Sequence, residues 1–294
     1  MKYVELGIGS ILSVMTLLML AVPLSMKGQE FRDDSVKIGG KWRKFTMLLP
    51  ESLKPGAPLV FVLHGYGGKV WRENPLAAPA RNYGFALCIP EGLKDPKGKR
   101  GWNVGYPSQQ GWKQDDVKDL LKMASTVQQR YGLSRKNTFM TGMSNGGEMC
   151  YLMAYSNQNT FKAVATIAGL TMEWMYRTLH ASRSIPLMEV HGTEDRTSEW
   201  TGDLQNKGGW GAYLPVPIAV NYWVSKNRCM QEKQELIPSL NPESGHYTIK
   251  HEFSHSPYGC DVWLYEVVGA GHKWHTDDLN TGEEVWKFFS KYVE

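Results

Sequence analysis

Ser144 lies in the segment TGMSNGGEMC, between Gly142 and Gly146, which gives the pattern G-x-S-x-G. An apolar, strand-like run precedes this segment and a helix-like run follows it. In that setting the pattern is typical of a nucleophile elbow, a tight strand-to-helix turn that exposes the serine hydroxyl. Glycines are needed where a Cβ would clash as the helix packs close to the neighbouring strand. The alternative is a glycine-rich turn whose serine only caps the helix.

A nucleophilic serine needs a histidine base and a carboxylate that orients the base, and after such an elbow the carboxylate precedes the histidine in the chain. Asp195 follows the strand-like LMEV, in HGTEDRT, and His272 follows VWLYEVV, in the glycine-rich GAGHKWH. Open sheets of parallel strands keep their sites just past the carboxyl ends of the strands. We therefore predict that these two residues complete a catalytic triad. Glu194 and Asp203 are alternative carboxylates, and His275 is the alternative base.

A fourth segment, VLHGYGG at residues 62–68, ends another strand-like run in a glycine-rich loop. A loop at this place can present a backbone N–H to the oxyanion that forms during acyl transfer. We predict an oxyanion hole made by the N–H groups of Tyr66 and Asn145. The alternative, a loop that cradles phosphate, is disfavoured because no Lys-Ser or Lys-Thr pair and no dinucleotide-binding glycine spacing accompanies it.

The elements that would position these residues alternate along the chain. Apolar, strand-like runs occupy 59–63, 85–89, 138–140, 163–168, 187–190 and 262–268, and helix-like runs occupy 115–131, 145–155, 216–227 and 283–292. The segment SVKIGGKWRKFTMLLP reads as two strands joined at Gly39-Gly40. Such alternation predicts an α/β fold with a mostly parallel, twisted sheet covered by helices on both faces, in one domain over residues 27–294.

Together the segments TGMSNGG, LHGYGG, IPEGL with GWN, VHGTED and GAGHKWH resemble the exported esterases of carbohydrate esterase family 1. These are feruloyl and acetylxylan esterases, which are grouped by sequence with polyhydroxybutyrate depolymerases. The resemblance covers nearly all of the chain after residue 26. It implies an α/β-hydrolase fold with Ser144, Asp195 and His272 as the triad. Gly101 stands where relatives often have a cysteine, so one common disulfide is absent.

The composition is that of a soluble protein with an unusually high content of Trp. Apolar residues make up 42% of the 294 residues, the formal net charge is +4, and Lys and Arg are scattered, so we expect no nucleic acid partner. Eleven Trp are present, either in the core or in loops where indole rings stack on ligands. The segment at residues 197–217 is longer and richer in Trp than expected of the depolymerases. We predict four substrate-binding side chains: Trp102, Trp200, Trp210 and Trp274.

No cofactor or metal is expected. His246, His251 and His255 lie in or beside a segment whose polar and apolar residues alternate as in a strand, so the three do not share one face. His272 and His275 have no cysteine or carboxylate near them at ligand spacing. No dinucleotide-binding motif is present.

Four cysteines are present, at positions 88, 150, 229 and 260. Cys88 and Cys150 lie in buried-looking elements without an obvious partner. Cys229 ends a helix-like segment and Cys260 precedes a strand, so a disulfide between them is favoured, and the resemblance supports it. In an exported protein such a bond would close a loop of about 30 residues and stabilise the fold by about 3.5 kcal/mol.

The amino terminus predicts export. Lys2 precedes an apolar run from Ile8 to Leu20, which suits the core of a signal peptide better than a membrane span. We expect a signal peptide over residues 1–26, a periplasmic or extracellular location and no stable membrane association once it is removed. A retained anchor is the alternative.

These observations predict a secreted serine carboxylesterase of the feruloyl esterase type, which acts on plant cell-wall polysaccharide esters. An acetylxylan esterase is the first alternative and a polyhydroxybutyrate depolymerase is a weaker one. The alternative outside enzymes is a Trp-lined carbohydrate-binding protein that kept the fold.

Overall fold

The computed structural model describes residues 30–294 of the chain. The predicted signal peptide, residues 1–26, lies outside these residues. Strands and helices alternate through most of the described part, as the apolar runs of the sequence predict. The strands are β1 (Phe31–Ile38), β2 (Lys41–Leu48), β3 (Leu59–Leu63), β4 (Ala86–Pro90), β5 (Leu93–Lys94), β6 (Arg100–Gly101), β7 (Thr138–Met143), β8 (Ala163–Ile167), β9 (Leu187–Gly192), β10 (Gln231–Pro238), β11 (Tyr247–Ser254) and β12 (Val262–Val268). The α-helices are α1 (Ala77–Tyr83), α2 (Asp116–Tyr131), α3 (Asn145–Tyr155), α4 (Glu173–Thr178), α5 (Val216–Asn227) and α6 (Thr281–Ser290).

Ten of the strands form one sheet in the order β1-β2-β4-β3-β7-β8-β9-β12-β11-β10. The six central strands, from β4 to β12, are parallel. An antiparallel pair flanks them on each side. The prediction of a mostly parallel sheet is therefore confirmed. Because β9 and β12 are neighbours, the loops that follow them lie side by side.

Helices cover both faces of this sheet. The side chains of β3 alternate between two buried apolar clusters: Leu59, Phe61 and Leu63 face one, and Val60 and Val62 face the other. The first cluster includes side chains of α2, α3 and α5, and the second includes side chains of α1 and α6. A strand that is buried on both faces needs apolar residues at every position, which explains the unbroken LVFVL of β3.

The sequence located several elements at their observed bounds. Strands β3 and β12 and helices α3 and α5 begin and end where their apolar patterns predict. The β1–β2 hairpin turns at Gly39 and Gly40, whose φ values of 55° and 81° lie in the region that glycine favours. Strand β10 and helices α1 and α4 were not predicted. The mostly polar β10 is exposed along nearly its whole length, so no apolar period marks it.

The predicted disulfide between Cys229 and Cys260 is not formed: both are free thiols in the structure, as are Cys88 and Cys150. Cys229 Sγ lies 3.5 Å from the carbonyl oxygen of Cys260, and Cys260 Sγ lies 3.4 Å from that of Tyr258. The two cysteines are neighbours, as their places in the sequence suggested, but each thiol donates to a backbone carbonyl.

Candidate active site

Ser144 occupies the sharp turn between β7 and α3. Its φ of 55° and ψ of −125° lie outside the helical and extended regions, a strained conformation that non-glycine residues adopt rarely and mainly at functional turns. Its N–H donates to the carbonyl of Ile167 at 2.8 Å, which ties the turn to the end of β8. The turn leaves the side chain partly exposed at the amino terminus of α3.

The flanking glycines allow the close packing that this turn requires. A Cβ at Gly142 would lie 2.6 Å from the backbone of Gly146, and a Cβ at Gly146 would lie 2.5 Å from the carbonyl oxygen of Leu63. Both separations are too short for real atoms. The prediction that a side chain at either position would clash is confirmed.

His272 and Asp195 form a hydrogen-bonded pair at the carboxyl edge of the sheet. His272 Nδ1 lies 2.6 Å from Asp195 Oδ2. Asp195 is buried in the loop after β9, and His272 is partly exposed in the loop after β12. The hydrogen bond fixes the neutral tautomer, because Nδ1 must carry a proton and Nε2 is then free to accept one. Within residues 30–294, no hydrogen bond joins Ser144 Oγ to this imidazole; such bonds often tighten only when substrate binds.

Asp195 is held in its ionised form. Burial opposes its charge, but the hydrogen bond and the attraction of His272, together with the N–H of Ser198, outweigh burial and lower the pKa of Asp195. Its Oδ1 accepts the N–H groups of Thr197 and Ser198, both at 2.8 Å. The carboxylate is therefore fixed by its own loop and presents Oδ2 to the imidazole.

The alternative residues lie elsewhere. Glu194 is exposed to solvent. Asp203 accepts the N–H of Gly208 at 2.8 Å and holds together its own loop. His275 is buried against Asp278, and burial lowers the pKa of His275 to about 4. The fold thus brings together the carboxylate and histidine that the sequence favoured.

The glycine-rich loop after β3 contacts the serine turn. A Cβ at Gly65 would lie 3.3 Å from Ser144 Cβ. The carbonyl oxygen of Gly65 accepts the N–H of Gly68 at 3.0 Å and lies 2.7 Å from His64 Nδ1. Since C=O and N–H point in opposite directions across a trans peptide plane, the N–H of Tyr66 points away from these donors.

Asn145, the other predicted oxyanion donor, is the first residue of α3, so its N–H has no partner within the helix. Its side chain is buried and binds the backbone of Trp102 twice, accepting the N–H at 2.7 Å and donating to the carbonyl at 3.1 Å. A Cβ at Gly101 would lie 2.8 Å from Asn145 Oδ1 and 3.1 Å from Tyr66 Cδ2. Gly101 therefore lies between the two residues, where a larger side chain would not fit.

The prediction that Trp102 lines a substrate pocket is wrong. Trp102 is fully buried in the core, and its indole Nε1 donates to the carbonyl of His64 at 2.9 Å. The indole therefore supports the loop after β3 from below. The local sequence placed Trp102 near a strand end but carried no sign of which way the ring would face.

The other three predicted tryptophans are partly exposed. The Trp210 ring lies 5.7 Å from that of Tyr66 and 5.3 Å from that of Tyr106. Trp200 lies 6.0 Å from the His191 ring, and Trp274 contacts the exposed Trp71 at 6.4 Å. Trp210 thus belongs to an aromatic wall, made with Tyr66 and Tyr106, beside the predicted oxyanion loop.

Sequence reasoning missed a buried acid beneath this wall. Glu148, one turn into α3, accepts a hydrogen bond from the hydroxyl of Tyr106. Burial raises the pKa of Glu148 to about 8. The signal available in the sequence was a single carboxylate in the otherwise apolar face of a buried helix.

A second missed feature lies directly behind Asp195. Glu189 and His191 are both fully buried on β9 and bind each other, with His191 Nδ1 2.8 Å from Glu189 Oε1. Their signal was visible: two ionisable residues two positions apart in LMEVHG share one face of a strand that is otherwise apolar.

A cavity of about 1040 Å³ opens at the opposite, amino edge of the sheet. Lys136, Lys162 and Pro186, which precede β7, β8 and β9, contribute to its lining. The folded chain gathers here six basic side chains that are dispersed in the sequence: Arg135, Lys136, Lys162, Arg183, Lys226 and Arg228. It lies away from Ser144, so cavity size alone does not identify the active site of this protein.

Within residues 30–294, no group of three or more His, Cys, Asp or Glu side chains is arranged to hold a metal ion. In the same part of the chain, no helix has the length and apolar character that crossing a membrane would demand.

Comparison with known proteins places this arrangement among hydrolases. The profile of the prolyl oligopeptidase family matches residues 82–216, a stretch that contains Ser144 and Asp195. Feruloyl esterase D of Neurospora crassa is 24% identical over 96% of this chain and 95% of its own length. A bifunctional acetylxylan esterase/xylanase of Neocallimastix patriciarum is 23% identical over 86% of this chain and 34% of its own.

The fold matches solved structures over most of the chain. The acetyl xylan esterase from Aspergillus awamori superimposes with a TM-score of 0.59 and 15% sequence identity, over 88% of this chain and 99% of that one. At this identity the likeness shows the α/β-hydrolase fold.

Proposed function

Because the chain is an α/β-hydrolase and a carboxylic ester hydrolase, we propose that it is a feruloyl esterase, which hydrolyses hydroxycinnamoyl esters of plant xylan through the triad Ser144, Asp195 and His272. The hydrogen bond between His272 Nδ1 and Asp195 Oδ2, at 2.6 Å, carries the proposal. It leaves the imidazole with a free Nε2, which is what a base for Ser144 requires.

The proposed reaction has two steps. Ser144 Oγ attacks the ester carbonyl carbon while His272 Nε2 takes the hydroxyl proton, and Asp195 stabilises the imidazolium that results. The N–H groups of Tyr66 and Asn145 bind the oxyanion of the tetrahedral intermediate. Its collapse expels the alcohol, which takes the proton from His272, and leaves an acyl-enzyme on Ser144. Water, activated by the same imidazole, then releases the acid.

The aromatic wall supports an aromatic acyl group. The partly exposed Trp210 lies beside Tyr66, whose N–H is the proposed oxyanion donor, and the buried Tyr106 contacts both rings. A ferulate ring that stacks on such side chains gains about 0.5–1.5 kcal/mol beyond the area it buries. An acetyl group offers one methyl, worth under about 1 kcal/mol. Since burial of the ring's own area is worth about 1.5–3 kcal/mol in addition, the total advantage is on the order of 2 kcal/mol, which corresponds to at least a tenfold preference for ferulate in kcat/KM.

An acetylxylan esterase is the second candidate. The names of the Neocallimastix relative and of the Aspergillus structure favour it, since the same aromatic wall would then hold the sugar ring rather than the acid. Export to the periplasm or the extracellular space, with cell-wall polysaccharide esters as partners, belongs to both proposals. Neither calls for a cofactor.

The catalytic proposal is tested with a p-nitrophenyl ester. The wild type should release a burst of nitrophenol as the acyl-enzyme accumulates, and Ser144→Ala should lose turnover by up to about 10⁶-fold. Ser182→Ala, at an exposed serine remote from the site, is the matched control and should keep full activity. A variant Ser144→Ala that keeps a few per cent of activity would refute the assigned nucleophile, and a wild type with neither burst nor turnover would favour a binding protein.

The acyl group is tested by comparing substrates with the purified wild type. Methyl ferulate and feruloylated arabinoxylan should be cleaved well, acetylated xylan less well and polyhydroxybutyrate little. Mass spectrometry of the acids released from plant xylan provides the independent measurement. Rapid release of acetate without ferulate would refute the feruloyl esterase proposal and support an acetylxylan esterase.

A further inference from the structure

His191 is a fully buried histidine that the proposed reaction does not use. It lies near the end of β9, four residues before Asp195. Its Nδ1 is 2.8 Å from Glu189 Oε1, and its Nε2 is 2.7 Å from the carbonyl oxygen of Ser198. A buried ring with two close, well-aligned partners is fixed in one orientation.

The partners determine where the protons lie. A backbone carbonyl can only accept, so His191 Nε2 must carry a proton and donate it to Ser198. The contact between Nδ1 and Glu189 contains one further proton. With that proton on Nδ1 the ring is an imidazolium paired with a carboxylate, and with it on Glu189 both groups are neutral. Burial lowers the pKa of His191, but its bonds to Glu189 and Ser198 and the charge of Asp195 outweigh burial and raise it. Burial also raises the pKa of Glu189, against the bonds from His191 and Tyr151 that lower it. Both directions concern the same proton, and the geometry favours Nδ1, because a charged His191 ring lies 3.7 Å from the carboxylate oxygen Oδ2 of Asp195.

His191 is linked to the catalytic carboxylate in two ways. Its Nε2 lies 3.7 Å from Asp195 Oδ2, the same oxygen that binds His272. Ser198, whose carbonyl binds His191, is also the residue whose N–H donates to Asp195 Oδ1 at 2.8 Å. The imidazole of His191 thus clamps the turn that fixes Asp195.

We propose that His191, as an imidazolium paired with Glu189, is a positioning residue for the catalytic carboxylate. It clamps the turn from Asp195 to Ser198 onto β9 and supplies a buried positive charge behind Asp195. Charges then alternate from Glu189 through His191 to Asp195, the carboxylate that would stabilise the imidazolium formed at His272 during the proposed reaction. The catalytic part of this inference rests on the proposed function, whereas the protonation of His191 does not.

Titratable groups on other elements also face Glu189 and His191. They are Glu148, Cys150 and Tyr151 of α3 and His275 of the loop after β12. Burial raises the pKa of Glu148, Cys150 and Tyr151 and lowers that of His275. All four are therefore mainly neutral at pH 7, and the local charge depends on Glu189, His191 and Asp195.

Nitrogen-15 NMR of the histidine rings tests the ion pair directly. The Ser144→Ala protein is suitable, because no turnover is needed and the fold loses only a hydroxyl. Both nitrogens of His191 should be protonated from pH 6 to pH 8. A neutral ring in this range would overturn the proposal, even if the protein proved to be an active esterase.

Two variants distinguish the effect of the positive charge on His191 from the effect of its hydrogen bond to Ser198. Glu189→Gln removes the carboxylate that holds the proton on Nδ1, so His191 should become neutral while it still donates from Nε2 to Ser198. It should move the acid limb of the kcat/KM profile upward by about 0.5–1.5 pH units, because the positive charge behind Asp195 is lost. Its kcat on the plateau should stay within about threefold of the wild type.

His191→Gln removes both the charge and the ring. It should show the same shift and also lose about 10–100-fold in kcat, with KM changed less than threefold. His251→Gln is the matched control, since His251 also pairs with a glutamate at 2.8 Å but lies on β11, far from the site. An acid limb that stays in place in both β9 variants, when they are folded by circular dichroism, would overturn the proposal. Complete inactivity of the wild type, with an imidazolium at His191, would instead refute the proposed function.

Discussion

Replacing Asp195 by Asn should invert the tautomer of the proposed base. Asp195 Oδ1 accepts two backbone N–H groups, from Thr197 and Ser198. An asparagine must keep its oxygen there, because its NH₂ group would otherwise oppose two donors. The NH₂ group then replaces Oδ2, 2.6 Å from His272 Nδ1. Nδ1 must accept, the proton moves to Nε2, and the imidazole can no longer take the proton of Ser144.

The size of the effect follows from this inversion. In a serine protease triad the same substitution leaves the geometry intact and lowers kcat by about 10⁴-fold, which is about 5.4 kcal/mol at 1.36 kcal/mol per decade. We expect a similar loss here. The folded state should survive, since Asn keeps the shape and the acceptor of Asp195.

The assay is kcat for a p-nitrophenyl ester at pH 7.5, with thermal melts to verify folding. Asp203→Asn is the matched control, because Asp203 also accepts a backbone N–H, from Gly208, but contacts no histidine; its activity should stay within a few-fold of the wild type. An Asp195→Asn protein that folds and retains more than about 5% of the wild-type kcat would refute the reasoning.

Three further substitutions have definite expected outcomes. Burial raises the pKa of Glu148 to about 8, well above about 4.3 for an unfolded chain, so wild-type stability should fall as the pH rises from about 4.5 to 8. Glu148→Gln, which can still accept from Tyr106, should remove this fall, and melting curves between pH 5 and pH 8 would measure it. Gly146→Ala would place a Cβ 2.5 Å from the carbonyl oxygen of Leu63 and should cost about 2–4 kcal/mol in urea unfolding. Trp210→Ala should lower kcat/KM for methyl ferulate about tenfold and for p-nitrophenyl acetate less than threefold; equal losses would contradict an aromatic acyl site.

The local sequence was sufficient to predict the turn at Ser144. Gly142 and Gly146 predict a close approach of backbones, and the structure has Cβ positions there that would collide with the chain. The positive φ of Ser144 agrees with the strained turn that the pattern predicts. Unbroken apolar runs such as LVFVL predict strands that are buried on both faces. In each case the information lies within a few consecutive residues, because backbone conformation and the pattern of buried positions along a strand are local properties.

Side-chain direction in loops was not predictable in this way. Trp102 directly follows strand β6, and Trp210 lies in the long segment between β9 and α5; both are in aromatic, glycine-containing segments. Only the fold buries the first beneath His64 and leaves the second beside Tyr66. The neighbouring but unbonded Cys229 and Cys260 show the same limit, since proximity follows from the elements and bond formation depends on the direction of each sulfur.

What the sequence determined by itself is the set of chemical groups and the turns that expose them: a serine on a glycine-flanked elbow, a carboxylate and a histidine each just past a strand. Only the tertiary structure decided which groups meet. Asp195 and His272 are 77 residues apart, and β10 and β11 lie between them in the chain. They meet because β12 returns to pair in parallel with β9, and the pairing of distant strands depends on the packing of the whole sheet. His191 lies on β9 itself, four residues before Asp195, but only the folded chain shows that its ring binds the turn that holds Asp195.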